Sequence, residues 1–454
     1  MALTFGLAMP FSARVAPLPG GAAAGLRLGP IGEALRSQLA AADDPTLEAF
    51  YRARHYRPIW IEGWGLKPDA RAAVQALAGA RDDGLDPAAY DAAGLSEVLA
   101  QAASRNPSDL ARAELALSRG LGAYLADLHA PAADAAMVYA DAAVAPPRLD
   151  RAHVLAALAR ARSPAAEVAE LQRMNLLYVQ LRTALADWRA NGGAPARGAL
   201  IRANMERARA LPADLGDRYI LVDAAAQMLW LYEDGRVADS MPVVVGKPSE
   251  PTPAMAGLIR YAVARPYWNV PPDLVAHSIA PQVLRQGPGY LESQDMEALS
   301  DWTDQAAPLA PEAIDWAAVA AGRQVLRVRQ RPGPHNMMGE VKFVFPNTLG
   351  VYLHDSPLRR FFSETRRTES AGCVRLSDAP RLARWLLAGQ AAQLTQPGEP
   401  ETRIDLDRPM PVYVVYFTAL PQAGGLSVRP DIYHRDRPLI AQIASRAAAA
   451  SAHA

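Results

Sequence analysis

The chain has 454 residues, half of them apolar and 21% charged, and its 47 Lys+Arg balance 47 Asp+Glu. That length asks for two or three domains, and that composition suits globular folds with real cores. A formal net charge of zero argues against a nucleic-acid binder and against a polybasic membrane-surface protein.

Residues 1–30 open with an apolar stretch, Leu3 to Ala13, that no Lys or Arg precedes. It reads as a truncated signal segment or a disordered terminus. No run of 18 apolar residues appears, so no membrane span is expected. Residues 31–195 are Ala- and Leu-rich with apolar residues three and four apart, as in Lys67 to Leu77 and Ala111 to Leu128, which predicts an all-α domain. Glu167 to Trp188 reads as one long helix ended by Asn191-Gly192-Gly193. Tyr51, Tyr56, Ile59, Trp60 and Ile61 read as core anchors, and His55, His129 and His153 lack metal-ligand spacing.

A connecting helix over 196–217 leads into a different texture. Tyr219 to Asp223, Gln227 to Tyr232, Val237 to Val245, Gln324 to Gln330, Glu340 to Phe345, Val351 to His354 and Val412 to Thr418 read as strands. Inside them a helix is expected after Asp378 as N-cap, with Pro380 in its first turn and Gly389 closing it. The stretch from about 266 to 322 does not read as sheet and is too long for a connection, so it is expected to be an inserted capping subdomain. The fold class is therefore multidomain α+β: a helical domain at 31–195, a β-rich domain at 218–421 carrying the insertion, and a tail with a helix at 422–454.

Chemistry concentrates in Val351-Tyr-Leu-His354-Asp-Ser and Ser370-Ala-Gly-Cys373-Val-Arg375. Cys373 is the chain's one cysteine, so no intramolecular disulfide forms. A solitary thiol is by default a small buried hydrophobe. Here a glycine precedes it, which lets backbone amides approach an oxyanion, and Arg375 two positions on would add thiolate character. His354 at a strand end supplies a base for an activated cysteine nucleophile. Asp355 is a poor partner for that imidazole, because consecutive strand residues face opposite ways, so a backbone carbonyl is expected to orient it. Spacing alone leaves a buried Cys and an unrelated surface His open. A zinc site from His335, His354 and Cys373 lacks the usual spacing, and His335 is otherwise a loop residue.

The wider text resembles the L,D-transpeptidase family, in its large periplasmic subgroup with an N-terminal helical scaffold domain. The matching segments are Val243-Val-Val-Gly-Lys-Pro248, Pro251-Thr-Pro253, Pro266-Tyr-Trp-Asn-Val-Pro-Pro272 and Arg329-Gln-Arg-Pro-Gly-Pro334, then Asn336, Gly339, Val341-Lys-Phe343 and Pro346-Asn347. Tyr352-Leu-His-Asp355, Ser370 to Arg375, Pro411 to Thr418 and Arg429-Pro-Asp-Ile-Tyr433 complete them in order. The resemblance implies Cys373 as nucleophile, His354 as base, Gly372 and Cys373 amides as the oxyanion site, and Arg375, Tyr352, Ser370 and Trp268 around the peptide. It implies a periplasmic cell-wall enzyme without metal or organic cofactor. The thiol would attack the bond between diaminopimelate and D-alanine of a donor tetrapeptide stem. The thioester would then pass to a second stem as a 3→3 cross-link, or to a D-amino acid, a protein lysine or water. Other cell-wall synthesis proteins are conceivable partners. The same residues would serve a cysteine carboxypeptidase or amidase, and a non-catalytic wall-binding scaffold is the reading from another class. Ala371 and Glu369 depart from the family pattern, and its peptidoglycan-binding module is not recognisable between Trp188 and Ile201.

Overall fold

The computed structural model describes residues 28–394, 396–422 and 425–453. The apolar segment read as a signal lies outside the described residues. Among those that are described, no helix is long and apolar enough to cross a membrane.

The N-terminal half is helical and organised around Pro107–Leu128, whose first turn is capped by the Asn106 side chain. Leu117, Leu121, Tyr124 and Leu125 of this helix are fully buried. Its Glu114 is buried too, and accepts from the amides of Ile59 and Trp60 and from the Tyr51 hydroxyl, at 2.5, 2.8 and 2.7 Å. Burial pushes that carboxyl above its usual range while the three donors oppose the rise. The aromatic segment is thus pinned by hydrogen bonds as well as packing. The single helix expected over 167–188 is instead two, Pro164–Leu171 and Leu176–Ala190. Asn175 breaks the run: its Oδ1 caps the Tyr178 amide and its Nδ2 donates to the Ala208 carbonyl at 2.9 Å.

The C-terminal half is built on β1 (Arg218–Asp223), β2 (Met228–Glu233), β3 (Arg236–Val244), β4 (Met255–Ala264), β5 (Val341–Val344), β6 (Leu353–His354), β7 (Val374–Leu376) and β8 (Thr402–Val415). Their order is β5-β6-β7-β3-β2-β1-β8-β4, and a further β4–β5 pairing closes the ring into a barrel. Alternation puts Ile220, Val222, Phe343, Leu353, Val374 and Leu376 in one interior core. The opposite residues of β1, β8 and β4 (Tyr219, Leu221, Tyr413, Val415 and Ala256) share a cluster with the helical half. Val138–Tyr139 of that half also pairs in parallel with β4. The helices therefore cover one side of the barrel and leave the outer face of β5, β6 and β7 to the site.

Helix Ala379–Leu387 begins at Asp378, whose carboxylate accepts from the Arg381 amide at 2.9 Å. It ends on Ala388, not on Gly389: the alanine takes the positive φ of 46°. The insertion corrects the sequence reading more substantially. It holds a four-stranded sheet of Trp268–Val270, Met296–Leu299, Pro308–Leu309 and Arg327–Gln330, with its own core around Val275, Met296, Trp316 and Val328. Arg327–Gln330 thus belongs to the insertion and not to the barrel. Strands of two to four residues are too short for a period-two pattern to register. Buried Asn336 gathers both legs of the insertion, donating to the carbonyls of Pro266, Gln330 and Arg331.

Candidate active site

β6 and β7 run parallel, with Leu353 opposite Val374 and His354 opposite Arg375. The Val374 amide donates to the Tyr352 carbonyl at 3.0 Å, so the register continues to set Cys373 beside Tyr352. Leu353 and Val374 point into the barrel core. Tyr352, His354, Cys373 and Arg375 therefore share its outer face, with the thiol and the imidazole one strand apart. Lys342 of β5 lies opposite His354 and joins the same face.

His354 is 4% exposed. Its Nδ1 lies 2.5 Å from the Asp355 carbonyl oxygen. A carbonyl only accepts, so Nδ1 carries the proton and Nε2 is the ring's basic nitrogen. The Asp355 carboxylate is turned elsewhere, to the Glu340 amide at 3.0 Å and Arg359 at 2.8 Å. Burial, reinforced by the charges of Arg375 and Lys342, drives the imidazole down to about 3. Hydrogen bonding to the Asp355 and Met338 backbone opposes this without reversing it.

Arg375 does favour the Cys373 thiolate, as the sequence reading expects, but it does not decide the outcome. Burial pushes the thiol above its ordinary value, outweighing the Tyr352 backbone hydrogen bond and the Arg375 charge. The half-buried cysteine sulfur donates to the Gly350 carbonyl at 3.5 Å, and among the described residues no hydrogen bond joins it to His354. The resting pair is a neutral thiol beside a neutral imidazole.

Gly372 holds φ +101°, a conformation that favours glycine. Among the described residues nothing accepts from the Gly372 or Cys373 amide, as an oxyanion site requires. The turn is fixed from distant segments that sequence reasoning gave no role. The Thr252 hydroxyl donates to the Gly372 carbonyl at 2.9 Å and accepts from the Gly246 amide at 2.8 Å. The Tyr433 hydroxyl donates to the Gly246 carbonyl at 2.8 Å. A Cβ on Gly246 would sit 2.2 Å from the Glu250 carbonyl oxygen, so only glycine fits. Both Thr252 and Tyr433 lie in segments that carry the family resemblance, and this was the one signal pointing to them.

Arg375 is desolvated, and its Nε and Nη1 are buried with no acceptor among the described residues. A guanidinium in that state suits an anionic group of a ligand. Ser370 departs from its expected place: it is buried, and its hydroxyl donates to the Cys373 carbonyl at 2.5 Å, so it shapes the turn instead of facing a peptide. Trp268 is half-buried against the insertion's own core. His335 is an exposed loop residue 3.7 Å from the Asp295 carboxylate.

Comparison with known proteins finds two matching domain profiles. The profile of the L,D-transpeptidase catalytic domain matches residues 217–412, and that of a scaffold domain matches 45–185. A candidate L,D-transpeptidase of Haemophilus influenzae is 30% identical over 241 residues, 52% of this chain and 48% of that protein. The chain thus spans about half the length of that curated relative. Among solved structures, an L,D-transpeptidase from Mycobacterium smegmatis is 16% identical, over 44% of this chain and 58% of that one, with a TM-score of 0.22. The ertapenem-acylated catalytic domain of the Enterococcus faecium enzyme is 17% identical, over 44% and 96%, with a TM-score of 0.20. Likenesses that distant add nothing to the domain match.

Proposed function

From a chain that carries an L,D-transpeptidase catalytic domain joined to a scaffold domain, we propose a periplasmic cysteine acyltransferase that cross-links peptidoglycan stem peptides. The observation that carries this reading is the shared outer face of the β6–β7 pair, where Cys373 and His354 stand together with the imidazole Nδ1 tied to the Asp355 carbonyl.

In the first half-reaction His354 Nε2 takes the thiol proton as sulfur attacks the carbonyl carbon of diaminopimelate in a donor tetrapeptide. The oxyanion forms against the Gly372 and Cys373 amides. The imidazolium returns the proton to the departing D-alanine amine, and the C–N bond breaks to leave a thioester. Arg375 holds a stem carboxylate and Tyr352 flanks the thiol. In the second half-reaction a stem amine attacks the thioester, yielding a 3→3 cross-link and the free thiol.

Intact mass spectrometry after incubation with ertapenem tests this. One stoichiometric adduct is expected on the wild type and none on Cys373→Ala. A folded wild type that takes up no adduct would sink the reading in favour of a non-catalytic wall-binding protein. Product analysis with a tetrapeptide donor, with and without an amine acceptor, then separates transfer from hydrolysis.

A further inference from the structure

His354 has a second neighbour on the site face that the reaction above does not use. Lys342 stands opposite it across the β5–β6 pair, with its side chain 14% exposed. Its ammonium lies 3.1 and 3.2 Å from the two carboxylate oxygens of Glu401. Glu401 adopts φ +56° and also accepts from the Tyr267 amide at 2.7 Å, where the insertion leaves the barrel. The carboxylate is thereby fixed, and it holds the lysine in place. An ammonium has three N–H donors and Glu401 takes two at most, so at least one is left for a ligand. Across the face the order is then Arg375 on β7 with Cys373 just before that strand, His354 on β6 and Lys342 on β5. Two cationic groups flank the imidazole, on opposite neighbouring strands.

A thioester on Cys373 must be resolved by an amine whose proton goes to His354 Nε2. Amines differ in what stands beside them. The side-chain amine of diaminopimelate and the amine of a free D-amino acid each share a carbon with a carboxylate. A lysine ε-amine has only methylene neighbours. Resting on the acyl-transfer reading above, we propose that Lys342 is a specificity-determining residue that binds the carboxylate next to the attacking amine. The site thereby selects acceptors with an α-amino acid centre over lysine side chains. Glu401 is its positioning residue. The amine nitrogen bonds to the thioester carbon and its proton passes to His354. The C–S bond breaks, and the imidazolium returns that proton to the leaving thiolate.

The test isolates the second half-reaction. The acyl-enzyme is formed first from a tetrapeptide donor, and its resolution is followed by mass spectrometry with four acceptors. These are a D-amino acid, its amide, a stem tripeptide with diaminopimelate at position three, and the same tripeptide with lysine there. The wild type is expected to prefer each carboxylate-bearing member of its pair by about tenfold or more, the scale of one charge-assisted hydrogen bond. Lys342→Met should collapse both preferences through the acceptor KM, Lys342→Arg should keep them, and Glu401→Gln should weaken them. Preference for the tripeptide pair alone would assign the subsite to stem acceptors, and for the D-amino acid pair alone to free amino acids. Equal wild-type rates within both pairs, or a Lys342→Met enzyme that still discriminates, would overturn the proposal. Failure to form any acyl-enzyme would instead count against the acyl-transfer reading itself. Should Lys342→Met not fold, Lys342→Arg and Glu401→Gln carry the comparison.

Discussion

A neutral Cys373–His354 pair predicts an unusual alkylation profile. Only a thiolate reacts appreciably with iodoacetamide, and Cys373 is the chain's sole cysteine, so the adduct mass reports this site alone. Burial holds the thiol above its ordinary 9.0. At pH 7 the thiol is then the dominant form, and the thiolate share grows about tenfold per pH unit below its pKa. Second-order alkylation rates measured from pH 5 to 9 should rise throughout with a slope near one on a logarithmic scale. His354 is driven down to about 3, so it is uncharged across the whole range and adds no inflection. A thiolate–imidazolium pair would behave differently, giving a flat plateau between pH 5 and 8. Observing that plateau would refute the neutral pair, and with it the claim that desolvation outweighs Arg375 at the sulfur.

His354 also makes stability depend on pH. Its folded value of about 3 lies below the ordinary 6.5, so between them the unfolded chain binds more protons than the folded one. Stability from this group is complete above 6.5 and falls as pH drops toward 3, a loss of about 2 kcal/mol on going from pH 8 to pH 5. Urea unfolding of His354→Gln should be flatter over that interval by this amount, and equal slopes in variant and wild type would contradict the burial argument. Gly372→Ala has room for its methyl group, the nearest atom being 3.9 Å away, but must hold φ +101°. The strain should cost about 1–3 kcal/mol in thermal unfolding and slow ertapenem adduct formation. An alanine variant with wild-type acylation would show that the turn geometry is not needed.

How far these features can be read from the sequence depends on the range over which each is set. Strand alternation is local, so Tyr352 and His354 on one face, and Asp355 turned away from the imidazole, follow from period two alone. The Asp378 cap is local as well, and it is where the sequence reading put it. Asn175 is a cap too, but it sits inside an apolar periodicity that runs through it, and its second bond goes to Ala208 on another helix. Nothing in that window marks the break. Desolvation is the least local of all. Arg375 is two residues from Cys373 in the chain, and sequence proximity alone argues for a lowered thiol. The outcome is set by how much water the surrounding fold removes from the sulfur, and burial wins over the single nearby cation. The turn around Gly372 shows the same logic in hydrogen bonds, since Thr252 reaches it from a separate segment and is itself held by Tyr433 from another, which only the closed barrel brings together. Residue types and short spacings therefore locate the reacting groups, while their protonation states and the donors that hold them are properties of the assembled fold.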